Sequence, residues 1–108
     1  DIGFCDVQAT RYEPGHFLTA HDDDVHGKDR VAAFVLGLTA DWRTDWGGLL
    51  QFHDGNGDLE GAWRPRMNVL NVFRVPQPHA VSLVAPWAGA ARLSFTGWLR
   101  RGTDPLAS

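Results

Sequence analysis

The sequence lacks the features on which disulfide-rich, membrane-spanning and nucleic-acid-binding proteins depend. Its 108 residues include a single cysteine, Cys5, so no disulfide can form within the chain, and a reducing compartment is favoured. No apolar run approaches the roughly 20 residues that span a bilayer. The net charge is -3, and no basic cluster is present that would attract nucleic acid or an anionic membrane. We therefore expect a cytoplasmic protein with neither a membrane nor a nucleic-acid partner.

The composition is that of a globular protein. Hydrophobic residues make up 44% of the chain and charged residues 21%, which is enough apolar material to build a core. A chain of 108 residues can enclose a single core and is too short for two. We therefore treat residues 1–108 as one domain.

Short apolar runs separated by Gly, Pro, Asp and Asn indicate β-strands, and no amphipathic helical pattern accompanies them. The predicted strands lie at 5–13, 16–22, 31–38, 48–52, 68–75, 79–84 and 91–99. The segment DGNGDLEG at 54–61 resembles half of a calcium loop but places Leu59 where that loop requires glycine, so we predict a hairpin turn. Roughly eight short strands at this spacing favour an all-β jelly roll or barrel-like sandwich.

The last predicted strand has two faces that both need a cover. Alternation with period two places Arg92, Ser94, Thr96 and Trp98 on one face and Leu93, Phe95 and Leu99 on the other. No helix in the sequence is available to cover the apolar set. We infer that an N-terminal helical part is absent from this chain, or that a partner chain or a second copy covers this face.

The stretch TAHDDDV at 19–25 brings a histidine and three aspartates together. In an extended segment, residues two apart point the same way, so His21 and Asp23 can present an imidazole and a carboxylate to one point while Asp22 points elsewhere. His79, which follows a proline at the start of an apolar run, is the candidate third ligand. Two histidines and one carboxylate form the ligand set of non-haem Fe(II) oxygenases. The alternative interpretation is a solvated acidic turn without a metal.

A second polar group lies on the last predicted strand. Arg92, Ser94 and Thr96 share one of its faces and would lie beside the strand that carries His79. A guanidinium holds a carboxylate through paired hydrogen bonds, and hydroxyl groups can satisfy the remaining lone pairs. The pattern therefore predicts a seat for a dicarboxylate near the metal.

A series of motifs links the sequence to a known family. From about residue 12 to residue 98, the chain contains RYEPGHFLTAHDDDVHGKDR, VLGLTADW, WGGLLQF, VFRVPQPHAV and RLSFTGW, in this order. These motifs resemble the prolyl-hydroxylase-type branch of the 2-oxoglutarate- and Fe(II)-dependent dioxygenases, and are most similar to the ribosomal-protein prolyl hydroxylases and to bacterial proteins related to the EGL-nine oxygen sensors. The resemblance implies a double-stranded β-helix, which is a jelly roll, forming a single catalytic core without the usual N-terminal bracing helices.

The resemblance also implies roles for the candidate residues. Fe(II) would be bound by His21, Asp23 and His79, and Arg92 would pair with the distal carboxylate of the cosubstrate 2-oxoglutarate. The rest of the cosubstrate pocket would comprise Thr96, Tyr12 and Leu50, joined by Ser94 from the face of Arg92. The implied reaction uses O2 to hydroxylate a C–H bond, either of a prolyl residue in a protein or peptide or of a proline-like small molecule.

Two departures from the EGL-nine sensors bear on the cosubstrate. Gly37 stands where the sensors have a tyrosine, so one hydrogen bond to 2-oxoglutarate is lost or is supplied from elsewhere. The turn between His79 and Arg92, which contains APWAG, is a few residues longer than in those sensors. A non-enzymatic or degenerate β-helix binding module is the alternative function. Convergence of the three metal candidates and Arg92 on one pocket would separate the two functions.

Overall fold

The chain folds into β-strands and turns in a computed structural model that describes residues 1–106, so the last two residues of the predicted domain lie outside the described residues. The strands are β1 (Ile2–Tyr12), β2 (Leu18–His21), β3 (Arg30–Gly37), β4 (Leu50–His53), β5 (Leu59–Trp63), β6 (Leu70–Arg74), β7 (His79–Val81) and β8 (Arg92–Arg101). A short 3-10 turn lies at Thr44–Trp46. Within residues 1–106 there is no α-helix, and no helix has the length and apolar character required to cross a membrane. The predicted all-β class is confirmed.

The strand β5 was not predicted by the apolar runs. Most of its residues are exposed, so its sequence carries little apolar pattern. It begins at Leu59, inside the segment predicted as a turn, and the turn itself is shorter than expected. The Asp54 N–H donates to the Asp58 carbonyl at 2.9 Å, and Oδ1 of Asp54 accepts from the N–H groups of Asn56 and Asp58. The hairpin is thus closed by its own backbone and by one aspartate.

Two antiparallel four-stranded sheets face each other. Their strand orders are β1-β8-β3-β6 and β2-β7-β4-β5, so consecutive strands alternate between the sheets except at the β4–β5 hairpin. This arrangement is the jelly roll that the sequence predicted. Strands β2, β7 and β8 therefore bring residues from distant parts of the chain into the space between the sheets.

The interior between the sheets contains polar groups as well as apolar ones. The apolar residues Val84, Trp42 and Leu50 are 0%, 2% and 3% exposed. Arg92 and Ser94 are buried to the same degree, at 3% and 2% exposure. Buried polar side chains are costly unless they find partners, so their presence here marks the interior as the place to look for a site.

The outer face of the β1-β8-β3-β6 sheet is apolar and exposed. Residues opposite each other on neighbouring strands share a face, and the register aligns Phe95 with Leu36 and Leu36 with Leu70. Phe95 is 41% exposed and Leu70 is 57% exposed. Leu93 and Leu99, which alternation placed on this face, are half-buried. No described residue forms a helix over this face, and exposed apolar patches of this kind are typical of association surfaces.

The glycine at position 97 lies at the centre of this sheet. It pairs with Val7 of β1 on one side and with Phe34 of β3 on the other. A Cβ atom at Gly97 would lie 1.8 Å from the carbonyl oxygen of Asp6 and 2.8 Å from Cζ of Phe34. The first contact is with the backbone of a paired strand, which cannot yield without disturbing the β1–β8 ladder.

We predict that Gly97→Ala destabilises the protein by about 1–3 kcal/mol, because the added methyl group overpacks the sheet. Gly61→Ala is the matched control, since nothing lies within 4 Å of a Cβ atom at that position of β5. The control should stay within about 1 kcal/mol of the wild-type protein. Urea unfolding measures both free energies, and equal stability of the two variants would contradict the tight packing at Gly97.

Candidate metal centre

His21 and His79 lie opposite each other on neighbouring strands. β2 ends at His21 and β7 begins at His79, and the two residues pair across the antiparallel β2–β7 ladder. Their ring centroids are 4.2 Å apart. The register of the sheet therefore brings together two imidazoles that are far apart in the sequence.

Asp23 joins the two histidines, but by a different backbone geometry from the one that alternation predicted. The strand has ended at His21, and Asp23 adopts a φ of 65°, which is the left-handed region and not an extended conformation. Its Oδ1 lies 2.9 Å from Nε2 of His21, and its Oδ2 lies 3.1 Å from Nε2 of His79. Asp22 is exposed and points elsewhere, as expected. The residues meet as the sequence indicated, whereas the assumption of an extended segment was wrong.

The backbone determines which nitrogen of each histidine is available to a metal. Nδ1 of His21 lies 2.8 Å from the Thr19 carbonyl oxygen, and Nδ1 of His79 lies 2.6 Å from the Gln77 carbonyl oxygen. A carbonyl oxygen can only accept, so each Nδ1 carries a proton and each Nε2 is directed at Asp23. A carbonyl partner of this kind orients metal-binding histidines and fixes their tautomer.

Asp23 and His79 shift each other's protonation. Burial acts to raise the pKa of Asp23, but hydrogen bonding and the nearby histidines outweigh burial, so the net pKa is lowered. Burial acts to lower the pKa of His79, but the hydrogen bonds to Asp23 and to the Gln77 carbonyl outweigh it, so the net pKa is raised. The Asp23 carboxylate is therefore ionised at neutral pH, and this is the form that binds a cation.

We call His21, Asp23 and His79 the triad. One candidate ligand atom from each lies within 4.8 Å of the others, and no other group of three His, Cys, Asp or Glu residues converges in this way in the part of the chain that the structure describes. Two imidazole nitrogens and one carboxylate oxygen are the donors of non-haem Fe(II) sites, which keep further coordination positions open. The donor set and its convergence fit such an ion.

A cavity of about 340 Å³ between the sheets is lined by the triad and by Arg92. Nε of Arg92 donates to the Gly48 carbonyl at 2.7 Å, and Nη1 donates to Oγ of Ser94 at 3.4 Å. No carboxylate in residues 1–106 forms an ion pair with this guanidinium. Burial lowers the pKa of Arg92, and the charge on the Tyr12 phenolate form opposes that shift. A buried cation without a counter-charge is unfavourable, so the arrangement favours an anionic ligand.

The other predicted cosubstrate residues fall into two groups. Tyr12, Leu50 and Thr96 line the cavity together with Arg92. Ser94 is not among the residues that line it, and its hydroxyl contacts Oγ1 of Thr10 and Nη1 of Arg92. The structure thus places Ser94 beside the guanidinium, as a support for it.

Two polar residues of the cavity wall, Gln8 and Thr10, were missed in the sequence. Alternation along β1 places them on the same face as Tyr12, so the pattern that would have identified them was present. The phenyl ring of Phe73 reaches the same cavity from β6. Its position depends on how the two sheets face each other, which no local pattern reveals.

Steric crowding explains why glycine occupies position 37. A Cβ atom at Gly37 would lie 2.0 Å from the carbonyl oxygen of Arg66. The tyrosine found in the EGL-nine sensors therefore cannot be accommodated here without moving the chain near Arg66. Any polar contact that it would make must come from another part of the cavity wall.

The chain is similar to known proteins in fold and in sequence. The model of the 2OG-Fe(II) oxygenase superfamily matches residues 7–100. The chain is 34% identical over 100 residues to prolyl 3-hydroxylase OGFOD1 of Mus musculus, covering 86% of this chain and 18% of that protein. It superposes on a prolyl-4-hydroxylase of Pseudomonas putida with a TM-score of 0.80 and 31% identity, covering 94% of this chain and 53% of the other. The structural match confirms the predicted double-stranded β-helix.

A prolyl hydroxylase of Trichoplax adhaerens, solved in complex with a peptide fragment of the hypoxia inducible factor oxygen degradation domain, shares the fold as well. Its TM-score is 0.74 at 23% identity, and the match covers 92% of this chain and 45% of the other. The chain therefore spans about half the length of these two solved relatives, at 53% and 45%, and 18% of the curated one.

We predict that His79→Ala weakens Mn(II) or Fe(II) binding by more than roughly 100-fold, because the site loses a direct ligand and its geometry. His26→Ala is the matched control, since His26 is exposed and lies outside the triad. It should leave the affinity unchanged. Titration of the protein with Mn(II), followed by electron paramagnetic resonance, measures the dissociation constant. Tight binding of one equivalent by His79→Ala would show that the triad is not the metal site.

Proposed function

This chain belongs to the 2OG-Fe(II) oxygenase superfamily, and we propose that it is an Fe(II)- and 2-oxoglutarate-dependent dioxygenase that hydroxylates a prolyl residue or a proline-like substrate. One observation carries the proposal: a buried guanidinium with no carboxylate partner among the described residues shares a cavity with the triad. A ligand that satisfies both ends of this cavity has metal-binding oxygens at one end and a carboxylate at the other. 2-Oxoglutarate has this structure.

In this proposal, Arg92 seats the distal carboxylate of the cosubstrate. A guanidinium has five N–H donors, and the contacts to Gly48 and Ser94 leave donors for a ligand. The hydroxyl groups of Tyr12 and Thr96 line the same cavity and can share the carboxylate oxygens. A cavity of about 340 Å³ is of the size that holds small organic ligands.

The residues of the chain supply binding and orientation for the reaction. The chemistry that bound Fe(II) supplies is the coupling of two oxidations by O2: the decarboxylation of 2-oxoglutarate to succinate and CO2, and the insertion of the second oxygen atom into a substrate C–H bond. The triad holds the ion through two imidazoles and a carboxylate. Arg92 fixes the direction of the cosubstrate, and the apolar side chains of Leu50, Phe73 and Val81 limit the entry of water.

A row of aromatic rings favours the proposal that the substrate contains proline. Trp63, which is 45% exposed, meets Phe52 edge to face at 4.9 Å, and Phe52 meets Phe73 at 5.1 Å. Phe73 in turn lies 4.7 Å from the ring of His79, so the row leads from the surface to the triad. Aromatic surfaces of this kind bind proline-rich chains. Two of the relatives described above carry the name prolyl hydroxylase with at least 31% identity, which agrees with this substrate class.

We predict that Arg92→Met lowers the affinity for 2-oxoglutarate by at least about tenfold, because it removes a charge-assisted pair worth about 1.5–3 kcal/mol. The affinity for Fe(II) should stay nearly unchanged. Arg92→Lys should restore part of the loss, because lysine keeps the charge without the planar two-pronged geometry. Anaerobic titration of the Fe(II) protein with 2-oxoglutarate measures the effect through the visible band expected when a 2-oxo acid chelates iron.

Arg74→Met is the matched control for this titration, since Arg74 is exposed on β6 and does not line the cavity. An unchanged dissociation constant in Arg92→Met would contradict the assignment of Arg92. A wild-type protein that binds Fe(II) but shows no band, and releases no succinate from 2-oxoglutarate, would instead favour the non-enzymatic binding module.

A further inference from the structure

Two buried side-chain nitrogens in the described part of the chain have no hydrogen-bond partner, and they lie in one stacked pair. They are Nε of Arg30 and Nε1 of Trp98. The guanidinium carbon of Arg30 lies 3.7 Å from the centroid of the Trp98 ring, which is the geometry of a cation–π contact. Unpartnered buried donors are rare in native proteins because each is costly, so this pair requires an explanation.

The stacked pair lies next to Asp23. Nη1 of Arg30 donates to the Asp23 carbonyl at 3.3 Å. Trp98 lines the same cavity as Asp23, and its buried indole N–H has no hydrogen-bond partner. The backbone of the one acidic member of the triad is thus bound by this pair, and its carboxylate shares a cavity with the unpartnered indole N–H.

Metal binding changes the partners of the Asp23 carboxylate. Its two oxygens face the Nε2 atoms of His21 and His79, at 2.9 and 3.1 Å. A histidine that coordinates an ion through Nε2 has no proton on that atom, so neither histidine can donate to the carboxylate once the triad holds an ion. The oxygen that does not coordinate the ion then needs another donor, because Asp23 is 7% exposed.

We propose that Trp98 supplies this donor and is a positioning residue of the metal centre. Its indole N–H hydrogen-bonds the Asp23 oxygen that does not coordinate the ion, and Arg30 holds the indole ring by stacking. The hydrogen bond from Arg30 to the Asp23 carbonyl also supports the left-handed conformation of this residue, whose φ is 65°. The inference rests on the proposed function, because it requires the triad to bind a divalent ion.

The test is the Mn(II) affinity of the full chain after treatment with a chelator, measured by electron paramagnetic resonance. Trp98→Phe keeps an aromatic ring against Arg30 and removes the N–H group. We expect its Kd to rise about ten- to a hundredfold, which is the usual effect of losing a group that orients a metal ligand. Replacing Trp98 by benzothienylalanine keeps the shape of the indole and removes only the N–H group, so the same rise is expected.

Trp87→Phe is the matched control, because this indole is 65% exposed and donates to the Asp45 carbonyl at 2.8 Å, outside the cavity. Its Kd should equal that of the wild-type protein. An unchanged Kd in the benzothienylalanine variant would overturn the proposal even if Trp98→Phe binds weakly, because ring size alone would then explain the loss. A wild-type protein that binds no Mn(II) would overturn the proposed function itself, so the two failures are distinguishable.

A separate variant tests the contribution of Arg30. Arg30→Lys keeps the positive charge and loses the planar group that stacks on the indole. We expect a rise in Kd that is smaller than for Trp98→Phe, because the N–H donor is retained while its orientation is less restricted. A Kd equal to that of the wild-type protein would overturn the part of the proposal that concerns Arg30.

Discussion

The arginine side chain buried between the two β-sheets has no carboxylate beside it in residues 1–106, and this unbalanced charge determines what the site can bind. Arg92 is 3% exposed, and its hydrogen-bond partners in the protein are the neutral Gly48 carbonyl and Ser94 hydroxyl. Burial of a charge without an opposite charge is unfavourable, so the binding of an anionic ligand would explain why an arginine is buried at this position. The cavity that leads from Arg92 to the triad provides the place for that ligand.

The jelly roll assembles this site from strands that are distant in sequence. The β2–β7 ladder aligns the two histidines in one sheet, while β8 carries Arg92 and β1 carries Tyr12 in the facing sheet. A shift of one residue in any of these pairings would turn every side chain of that strand to the opposite face. The same register that builds the sheets therefore specifies the site. The support of Asp23 by Arg30 and Trp98 likewise depends on the pairing of β3 with β8.

The chemistry of the site could be predicted from the sequence, whereas part of its geometry could not. The triad and Arg92 were identified because imidazole, carboxylate and guanidinium groups carry recognisable chemistry within ordered motifs. The conformation of Asp23 was not predicted, since alternation assumes an extended backbone and this residue is left-handed. The contact of the Ser94 hydroxyl with Thr10 was not predicted either, because Thr10 is a neighbour set by strand pairing. β5 was missed because a mostly exposed strand leaves little apolar pattern.

A crystal structure of the protein with Mn(II) and 2-oxoglutarate, grown without oxygen, would show whether the triad and Arg92 bind one cosubstrate molecule between them. Anomalous scattering locates the manganese, and the density of the cosubstrate shows which residues it contacts. We predict the ion on the triad and the distal carboxylate against Arg92 in the same cavity. A cosubstrate bound elsewhere, with Arg92 keeping only its contacts to Gly48 and Ser94, would contradict it.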